Sequence, residues 1–396
     1  MSTRRAALLC MFAVFGLVNA GNALHKGGDF DVFLESGARV MDRRPLYEGS
    51  SPGSGVIGPP FQAVFFVPSA TLAAHSLAAA RLSWYLANLA ALIAGMWFWA
   101  EAVTAQSRAV ASRTGSRAML IAVAGIVLPT QTNFEHQNMN AVLLCLVGAA
   151  AWTAGRGRRG IAGLLIGAAT ALKAFPLLVV AYLMVKRESR IARSALVTAV
   201  ALTALILVPY GAGGGWNTWT EWLAINREGG WPERLQNQSL YAMAARVAPS
   251  ASPWLFAGLS AALLFSLLVL ASRRRLTSRS AAAPHLARDL ALALGVAVLL
   301  SPIAWDHYLL LLFPLFLVVG RRPQRSATWV TVVAAFLISG LSPVVFGAKG
   351  FDLARFWSTG TVGALLLVSA EIGLQLSGNR LAGNALEPPA ETPKLG

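Results

Sequence analysis

Long apolar stretches separated by short polar connections run through almost the whole chain, from residue 6 to residue 377. Each long stretch approaches the roughly 20 apolar residues that a helix needs to cross a bilayer. The pattern therefore predicts an all-α polytopic membrane protein with about ten to twelve membrane-crossing helices. Residues 1–378 would form one transmembrane domain, and residues 379–396 a polar cytoplasmic tail.

Two of the polar connections are long, and we expect both to be outer loops with short helices of their own. They cover residues 25–60 and residues 211–252, and the second is rich in tryptophan. Between them, residues 61–105 carry Pro68 and His75 in their first half. We therefore expect one crossing from about Leu82, preceded by a bent segment that does not span.

A second break falls inside the apolar stretch of residues 160–185, where Lys173 and Pro176 lie near the middle. A proline interrupts helical hydrogen bonding, and irregular backbone at membrane depth is tolerated only where it lines a cavity. The stretch therefore predicts a broken, hairpin-like pair of helices. A lysine at that depth either extends to an interface or neutralises an anion, and the adjacent break favours an anion site.

Composition agrees with a membrane protein, since 56% of the residues are hydrophobic and only 13% are charged. The net charge of +16 does not indicate nucleic-acid binding, because lysine and arginine cluster in the short connections. Such clusters mark the cytoplasmic side. They lie at residues 4–5, 108–117, 156–159, 186–193, 273–279 and 321–325. This distribution predicts cytoplasmic termini in a plasma or inner membrane, with most acidic residues on the opposite, non-cytoplasmic face.

Two of the polar groups on that face could carry chemistry as acids or bases. Asp29 and Asp31 follow the first helix beside two glycines, at the depth where a partly buried carboxylate can act as a general base. Trp305, Asp306 and His307 follow a Ser-Pro break, and could form a polar site or simply an interfacial anchor with a helix cap.

Further candidates are amides and a histidine. His136, Gln137 and Asn140 lie in and just after a polar turn, and their side chains suit hydrogen bonds to sugars or phosphates. Asn237 and Gln238 lie in the tryptophan-rich connection, where such residues suit carbohydrate contact or loop structure.

Sequence patterns for nucleotide and metal sites are absent. There is no Walker A motif, no Rossmann glycine fingerprint and no paired-cysteine metal signature. Cys10 and Cys145 both lie in apolar stretches and are expected to be core residues. We therefore predict no cofactor and no metal ligands, although the Asp29/Asp31 pair leaves a divalent ion open.

Six motifs in order resemble glycosyltransferase family 87, a group of GT-C enzymes. They are Asp29-Phe30-Asp31-Val32-Phe33, Gly58-Pro59-Pro60-Phe61, His136-Gln137-Asn138-Met139-Asn140, Leu172-Lys173-Ala174-Phe175-Pro176, Asn237-Gln238-Ser239-Leu240 and Ser301-Pro302-x-x-Trp305-Asp306-His307. The family often has Tyr-Pro-Pro where this chain has Gly58-Pro59-Pro60, and a His-His pair where it has His307-Tyr308.

The resemblance implies a GT-C helical bundle that transfers a hexose, usually mannose, from a polyprenyl-phosphate-sugar donor to a lipid or glycan acceptor. Transfer would occur on the non-cytoplasmic face, with Asp29 as general base, His307 near the donor phosphate and Lys173 at the position of the family lysine. Three rivals stay open: a transporter or flippase of a lipid-linked or anionic substrate, a GT-C enzyme for another sugar such as arabinofuranose, and a non-catalytic assembly scaffold.

Overall fold

The computed structural model describes residues 16, 19–21, 23–50, 55–105, 112–228, 234–276, 286–322 and 324–384. Within these ranges every regular element is helical, apart from one isolated antiparallel bridge between Asn237 and Trp305. The prediction of an all-α polytopic membrane protein is confirmed. The predicted first helix, residues 6–24, and the polar tail lie largely outside the described residues.

The first half of the described chain contains two groups of helices. The segment before the first long helix holds α1 (Asp29–Met41), α2 (Pro60–Phe65) and α3 (Val67–His75). The hairpins that follow are built from α4 (Leu77–Ala105), α5 (Ser112–Gly125), α6 (Val127–Glu135), α7 (Asn140–Gly155), α8 (Arg159–Leu172) and α9 (Leu177–Val185).

The second half packs around the same core. It contains α10 (Ser189–Ala204), α11 (Leu207–Glu228), α12 (Leu240–Val247), α13 (Ser252–Leu276) and α14 (Leu286–Leu300). A 3₁₀ helix (Asp306–Leu312) leads into α15 (Phe313–Gly320), followed by α16 (Arg325–Ala335), α17 (Pro343–Phe356) and α18 (Thr359–Asn384). The 3₁₀ helix, α14 and α15 are buried almost throughout and form the centre of the core.

The bundle has two chemically different ends. The connections from α7 to α8, from α9 to α10 and from α15 to α16 carry the basic clusters. At the other end lie the α6–α7 turn, the break between α8 and α9, and the break after α14. We call these the basic end and the polar end.

Helices that reach the polar end from the basic end are too short to cross a membrane. The 14 residues of α8 and the 15 residues of α14 span only about 21–23 Å at 1.5 Å per residue. A bilayer has a hydrocarbon core of about 30 Å. If these helices start at one membrane surface, the breaks that follow them lie short of the other surface, and the polar end is recessed into the bilayer.

Only some helices are long and apolar enough to cross alone. Within the described residues they are Leu77–Ala105, Pro249–Ser272 and Thr359–Ser377, and two bent pairs would raise the number to five. Shorter apolar helices, such as α7 and α8, pack among them. The predicted number of ten to twelve crossings therefore stays a prediction, because it depends on how these short helices are counted.

The two bent pairs form similar elbows. Helix α11 leaves α10 at 95°, and α17 leaves the residue 325–340 helix at 85°. Each second helix contains an aromatic-Gly-Ala-x-Gly sequence, with Gly211 at φ 69°, ψ 179° and Gly347 at φ 69°, ψ 172°. Exposed apolar side chains occur on both, including Trp216 and Val344. Because each helix turns about 90° from an apolar partner, α11 and α17 are suited to lie along the membrane surface.

The structure shows helices in both long polar connections, as expected. Residues 211–252 are largely helical, since α11 and α12 occupy most of their described part. The first outer segment begins with the helix α1, whose Phe30, Phe33 and Leu34 are buried. Apolar residues at helical spacing explain α1.

Ion pairs fasten the basic end. Lys186, just after α9, pairs with the fully buried Asp289 of α14. Arg288 donates to Glu371 Oε1 of α18 at 2.7 Å, and Arg159 lies 3.5 Å from Glu188. Breaking such a buried pair leaves an uncompensated charge. These contacts therefore hold α9, α14 and α18 at fixed spacing.

The elbow glycines provide a test of the fold. We expect Gly347→Ala to destabilise the protein by about 1–3 kcal/mol, because φ near +69° with ψ near 180° is essentially restricted to glycine. A Cβ would meet no atom within 4 Å at Gly347 or at Gly258, which lies within α13 without a positive φ. Gly258→Ala should therefore be neutral or stabilising. Equal melting temperatures in detergent for the two variants would contradict the backbone explanation.

Candidate active site

A cavity of about 890 Å³ opens at the polar end. Its walls come from α1, the α6–α7 turn, the α8–α9 break, the segment after α14, and the surface helices α11 and α17. The polar side chains on these walls include Asp29, His136, Asn138, Lys173, Asp306, His307, Tyr308, Arg234 and Arg355. Residues far apart in the sequence thus meet in one recess.

Asp29 is held by the backbone of the α6–α7 turn. Its N–H donates to the carbonyl of His136 at 2.8 Å, and a Cβ at Gly28 would lie 2.8 Å from that same backbone. Gly28 also has φ +55°, so glycine is needed both for its conformation and for the close approach. Asn138 Nδ2 donates to Asp29 Oδ2 at 2.7 Å. The Asp29 carboxylate is about a third exposed and faces the cavity.

Lys173 is buried directly behind this aspartate. The break after α8 leaves it in an extended conformation. Its Nζ donates to Asn138 Oδ1 and to Asn140 Oδ1, both at 3.0 Å, and lies 3.9 Å from the centre of the Tyr308 ring. Asn138 therefore connects the two residues. Its amide oxygen accepts from Lys173, and its amide nitrogen donates to the carboxylate of Asp29.

Two histidines stand next to the carboxylate. His307 Nε2 lies 3.9 Å from Asp29 Oδ2, and the rings of His136 and His307 are 5.6 Å apart. The His307 carbonyl accepts a hydrogen bond from Asn140 Nδ2 at 3.1 Å. This bond fixes the start of the 3₁₀ helix against α7.

Asp306 forms the next part of the wall and pairs with an arginine from α17. Arg355 Nε donates to Asp306 Oδ2 at 2.9 Å, and Arg355 Nη2 contacts the same oxygen. The guanidinium also covers the ring of Phe351 at 3.9 Å. The surface helix α17 thereby contributes a cation to the cavity.

An apolar groove leads from the cavity toward the bilayer. It is lined by side chains from the α8–α9 break, α9, α13 and α14: Phe175, Leu178, Leu264, Ala297 and Leu300. Leu264 is 42% exposed and belongs to one of the long apolar helices, so the groove reaches the lipid-facing surface. A cavity with polar walls and such a groove can hold a polar head group with an attached hydrocarbon chain.

On the opposite side, a loop and the surface helix α11 close the cavity. The carbonyl of Ile57 accepts from Trp222 Nε1 at 3.1 Å, and the Tyr47 hydroxyl donates to the Gly58 carbonyl at 2.7 Å. Burial, with a smaller contribution from Glu221, raises the pKa of Tyr47 well above its usual value, so its hydroxyl remains a donor. The Gln62 amide also lines this side.

Comparison with known proteins places the chain in a family. The model for glycosyltransferase family 87 matches residues 57–302, more than half of the chain. The chain belongs to glycosyltransferase family 87. It is therefore a membrane glycosyltransferase, and family membership favours an enzyme over a transporter. No solved structure matches it.

Two curated relatives of this family 87 chain share 28% identity with it. Both are named polyprenol-phosphate-mannose-dependent alpha-(1-2)-phosphatidylinositol mannoside mannosyltransferase. The one from Mycolicibacterium smegmatis aligns over 78% of this chain and 73% of its own length. The one from Mycobacterium tuberculosis aligns over 83% and 79%, respectively.

Six of the candidate residues line the cavity: Asp29, His136, Lys173, Trp305, Asp306 and His307. Asp31 does not, because residues two apart on a helix face different directions. It forms an ion pair with Arg81 at 2.8 Å instead. Thus the predicted acid pair is separated, and Arg81 is fixed by Asp31 and by the carbonyl of Leu24.

Four predicted binding residues use their side chains inside the protein. Gln137 donates to the carbonyls of Ala23 and Lys26, and Gln238 donates to those of Leu235 and Arg355. Asn140 holds Lys173 and His307, as described above. Asn237 is the fourth of these residues. None of the four lines the cavity. In the structure their side chains support the walls of the cavity, and their predicted contact with substrate stays a prediction.

Asn237 shows how two of the sequence motifs fit together. Its Oδ1 accepts from the N–H groups of Ser239 and Ala304, and its Nδ2 donates to the Pro302 carbonyl. The Gln236 carbonyl accepts from the N–H of Asp306 at 3.1 Å. The Asn-Gln-Ser motif thus holds the Ser-Pro-x-x-Trp motif, which carries Asp306 and His307 into the cavity.

Arg234, Arg355 and the connecting role of Asn138 were not predicted. Arg355 lies outside the basic clusters that mark the cytoplasmic side, and arginine is disfavoured on the opposite side by the positive-inside rule. An arginine that departs from this rule could have been a signal. Among the described residues, no group of three histidine, cysteine or acidic side chains is arranged to hold a metal ion.

Asn237 offers a test of the supporting position. We expect Asn237→Ala to lower the free energy of unfolding by about 1–3 kcal/mol, because the substitution leaves buried backbone groups without partners. Asn217→Ala, at an exposed position of α11, should have little effect. Thermal denaturation in detergent measures both. A stable Asn237→Ala protein with weakened sugar binding would instead support direct contact.

Proposed function

We propose that this enzyme transfers mannose from polyprenyl-phosphate mannose to a hydroxyl of a lipid or glycan acceptor, with Asp29 as the general base. The printed names of both relatives support the donor, since they describe polyprenol-phosphate-mannose-dependent enzymes. The acceptor class follows from their action on phosphatidylinositol mannoside, a glycolipid.

The observation that carries this proposal is the meeting of a reactive carboxylate and a lipid groove in one recess. The Asp29 carboxylate faces the cavity, and the groove at Leu178 and Leu264 leads from that cavity to the bilayer. A polyprenyl-phosphate sugar has both parts, a hydrocarbon chain and a phosphorylated hexose. A soluble sugar nucleotide would have no use for the apolar groove.

In the proposed reaction, Asp29 removes the proton of the acceptor hydroxyl as its oxygen attacks the anomeric carbon. The bond between that carbon and the phosphate oxygen breaks, and its electron pair leaves with polyprenyl phosphate. Attack from the face opposite the leaving group inverts the anomeric configuration. A lipid phosphate is already an adequate leaving group, so the proposal includes no cofactor. Asn138, which is itself held by Lys173, orients the carboxylate.

The base assignment can be tested with labelled polyprenyl-phosphate mannose and phosphatidylinositol mannoside. We expect Asp29→Asn to reduce transfer by about 10²–10⁴-fold, the usual contribution of a general base. Glu48→Gln is the matched control, because Glu48 is an exposed acid of the same segment and does not line the cavity. Undiminished transfer by the Asp29→Asn protein would refute the base assignment. No transfer by the wild type from any lipid-phosphate sugar would refute the donor class.

We further propose that the cavity opens on the non-cytoplasmic face of the plasma or inner membrane, with both termini in the cytoplasm. The basic clusters at the opposite end of the bundle support this orientation.

The orientation predicts which positions an impermeant thiol reagent can reach in intact cells. In a variant without Cys10 and Cys145, we expect Asn217→Cys on α11 to be labelled. Arg158→Cys, exposed at the basic end, should be protected until the membrane is opened. Labelling with the opposite pattern would invert the proposed topology.

A further inference from the structure

The cavity contains two groups of charged residues, and they are not equally available to an anion. The first is Lys173 with Asp29. Two of the three Nζ hydrogens of Lys173 are directed to Asn138 and Asn140, and the remaining side faces Tyr308. The charges of Lys173 and Asp29 sum to zero. This group orients a base, and most of the hydrogen-bonding capacity of its lysine is already engaged.

The second group consists of Asp306, the arginines that interact with it and further charged residues beside them or on the same cavity wall, and it has an excess of positive charge. It contains three guanidinium groups, those of Arg234, Arg246 and Arg355, and two carboxylates, those of Asp306 and Asp352. The formal sum is three positive minus two negative charges, which leaves +1. Arg234 and Arg355 line the cavity, and within the described residues no hydrogen bond or ion pair involves the Arg234 side chain.

Arg246 leaves Arg355 able to bind an anion in addition to Asp306. It lies behind the cavity wall, where its guanidinium donates to Ser358 Oγ and to the Asn237 carbonyl, and it interacts electrostatically with Asp306. Asp306 therefore has two cations near it. When an incoming phosphate engages Arg355, Arg246 still compensates the buried carboxylate.

The position of Arg355 also suits a lipid phosphate. It belongs to α17, which follows an 85° bend and exposes Val344, Val345 and Phe346. A helix of this kind lies at the level of lipid head groups. The phosphate of a membrane lipid is found at that level, and the apolar groove opens from the same cavity.

We propose that Arg355 and Arg234 bind the phosphate of the lipid-linked donor, while Lys173 positions the Asp29 base. This inference rests on the proposed function, because it concerns the phosphate of the proposed donor. His307 lies between the two groups, adjacent to Asp306 in the chain and 3.9 Å from Asp29. The phosphate therefore lies toward Arg355, and the anomeric carbon bonded to its oxygen lies beside His307. The acceptor hydroxyl held by Asp29 then attacks that carbon from the side opposite the phosphate. As the carbon–oxygen bond breaks, the guanidinium groups stabilise the charge that develops on the phosphate.

Binding of polyprenyl phosphate without a sugar tests this site apart from catalysis. The full-length protein in detergent is titrated with polyprenyl phosphate and, in parallel, with the uncharged polyprenol. We expect Arg355→Gln to weaken phosphate binding by at least about tenfold, the usual loss for a charge-assisted hydrogen bond. Polyprenol binding should not change. Lys349→Gln, which removes an exposed positive charge from the same helix, should leave both affinities unchanged.

A double variant separates phosphate binding from simple compensation of Asp306. Arg355→Gln alone leaves Asp306 without its main partner, whereas Arg355→Gln with Asp306→Asn removes both charges. If Arg355 binds phosphate, the double variant remains as weak as the single one. Recovery of wild-type affinity by the double variant would overturn the inference, as would unchanged binding by Arg355→Gln.

The same titration distinguishes this inference from the proposed function. If the wild type does not prefer polyprenyl phosphate to polyprenol, the proposed donor class fails and the inference fails with it. If the wild type shows the preference and Arg355→Gln keeps it, only the assignment of Arg355 fails.

Discussion

The buried charge of Lys173 is the constraint on which the polar end of this enzyme depends. A lysine at membrane depth requires compensation, and here Asn138 and Asn140 accept its hydrogen bonds while Asp29 supplies the opposite charge through Asn138. This requirement joins the break after α8, the α6–α7 turn and the start of α1. The carboxylate that could act as a base is thus held by the same contacts that make the buried lysine tolerable.

Much of this arrangement could be predicted from the sequence. The apolar pattern predicted the helical membrane fold, and Lys173 with Pro176 predicted the broken pair α8 and α9. The direction of individual side chains could not be predicted, because it depends on partners that only the folded chain supplies. Asn237 has the chemistry of a sugar ligand, yet three backbone groups occupy its amide.

Arg355 illustrates the reverse case. It lies beyond the residues matched by the family model, and nothing in its immediate neighbours indicates a site. Only the elbow before α17 brings it beside Asp306, which is some fifty residues away in the chain. The two elbows have similar glycine conformations and both contribute side chains to the cavity. Surface helices that connect the apolar helices are therefore part of the site.

The ion pairs at the basic end have a mechanical consequence. Lys186 with Asp289 and Arg288 with Glu371 tie α9, α14 and α18 together at the basic end. The apolar groove lies toward the other end of the bundle, between α9 and α13. A lipid that enters the cavity through this groove would do so from the side, while the paired helices stay together at the basic end. Such entry would open no path through the membrane, and the permeability barrier would be preserved during turnover.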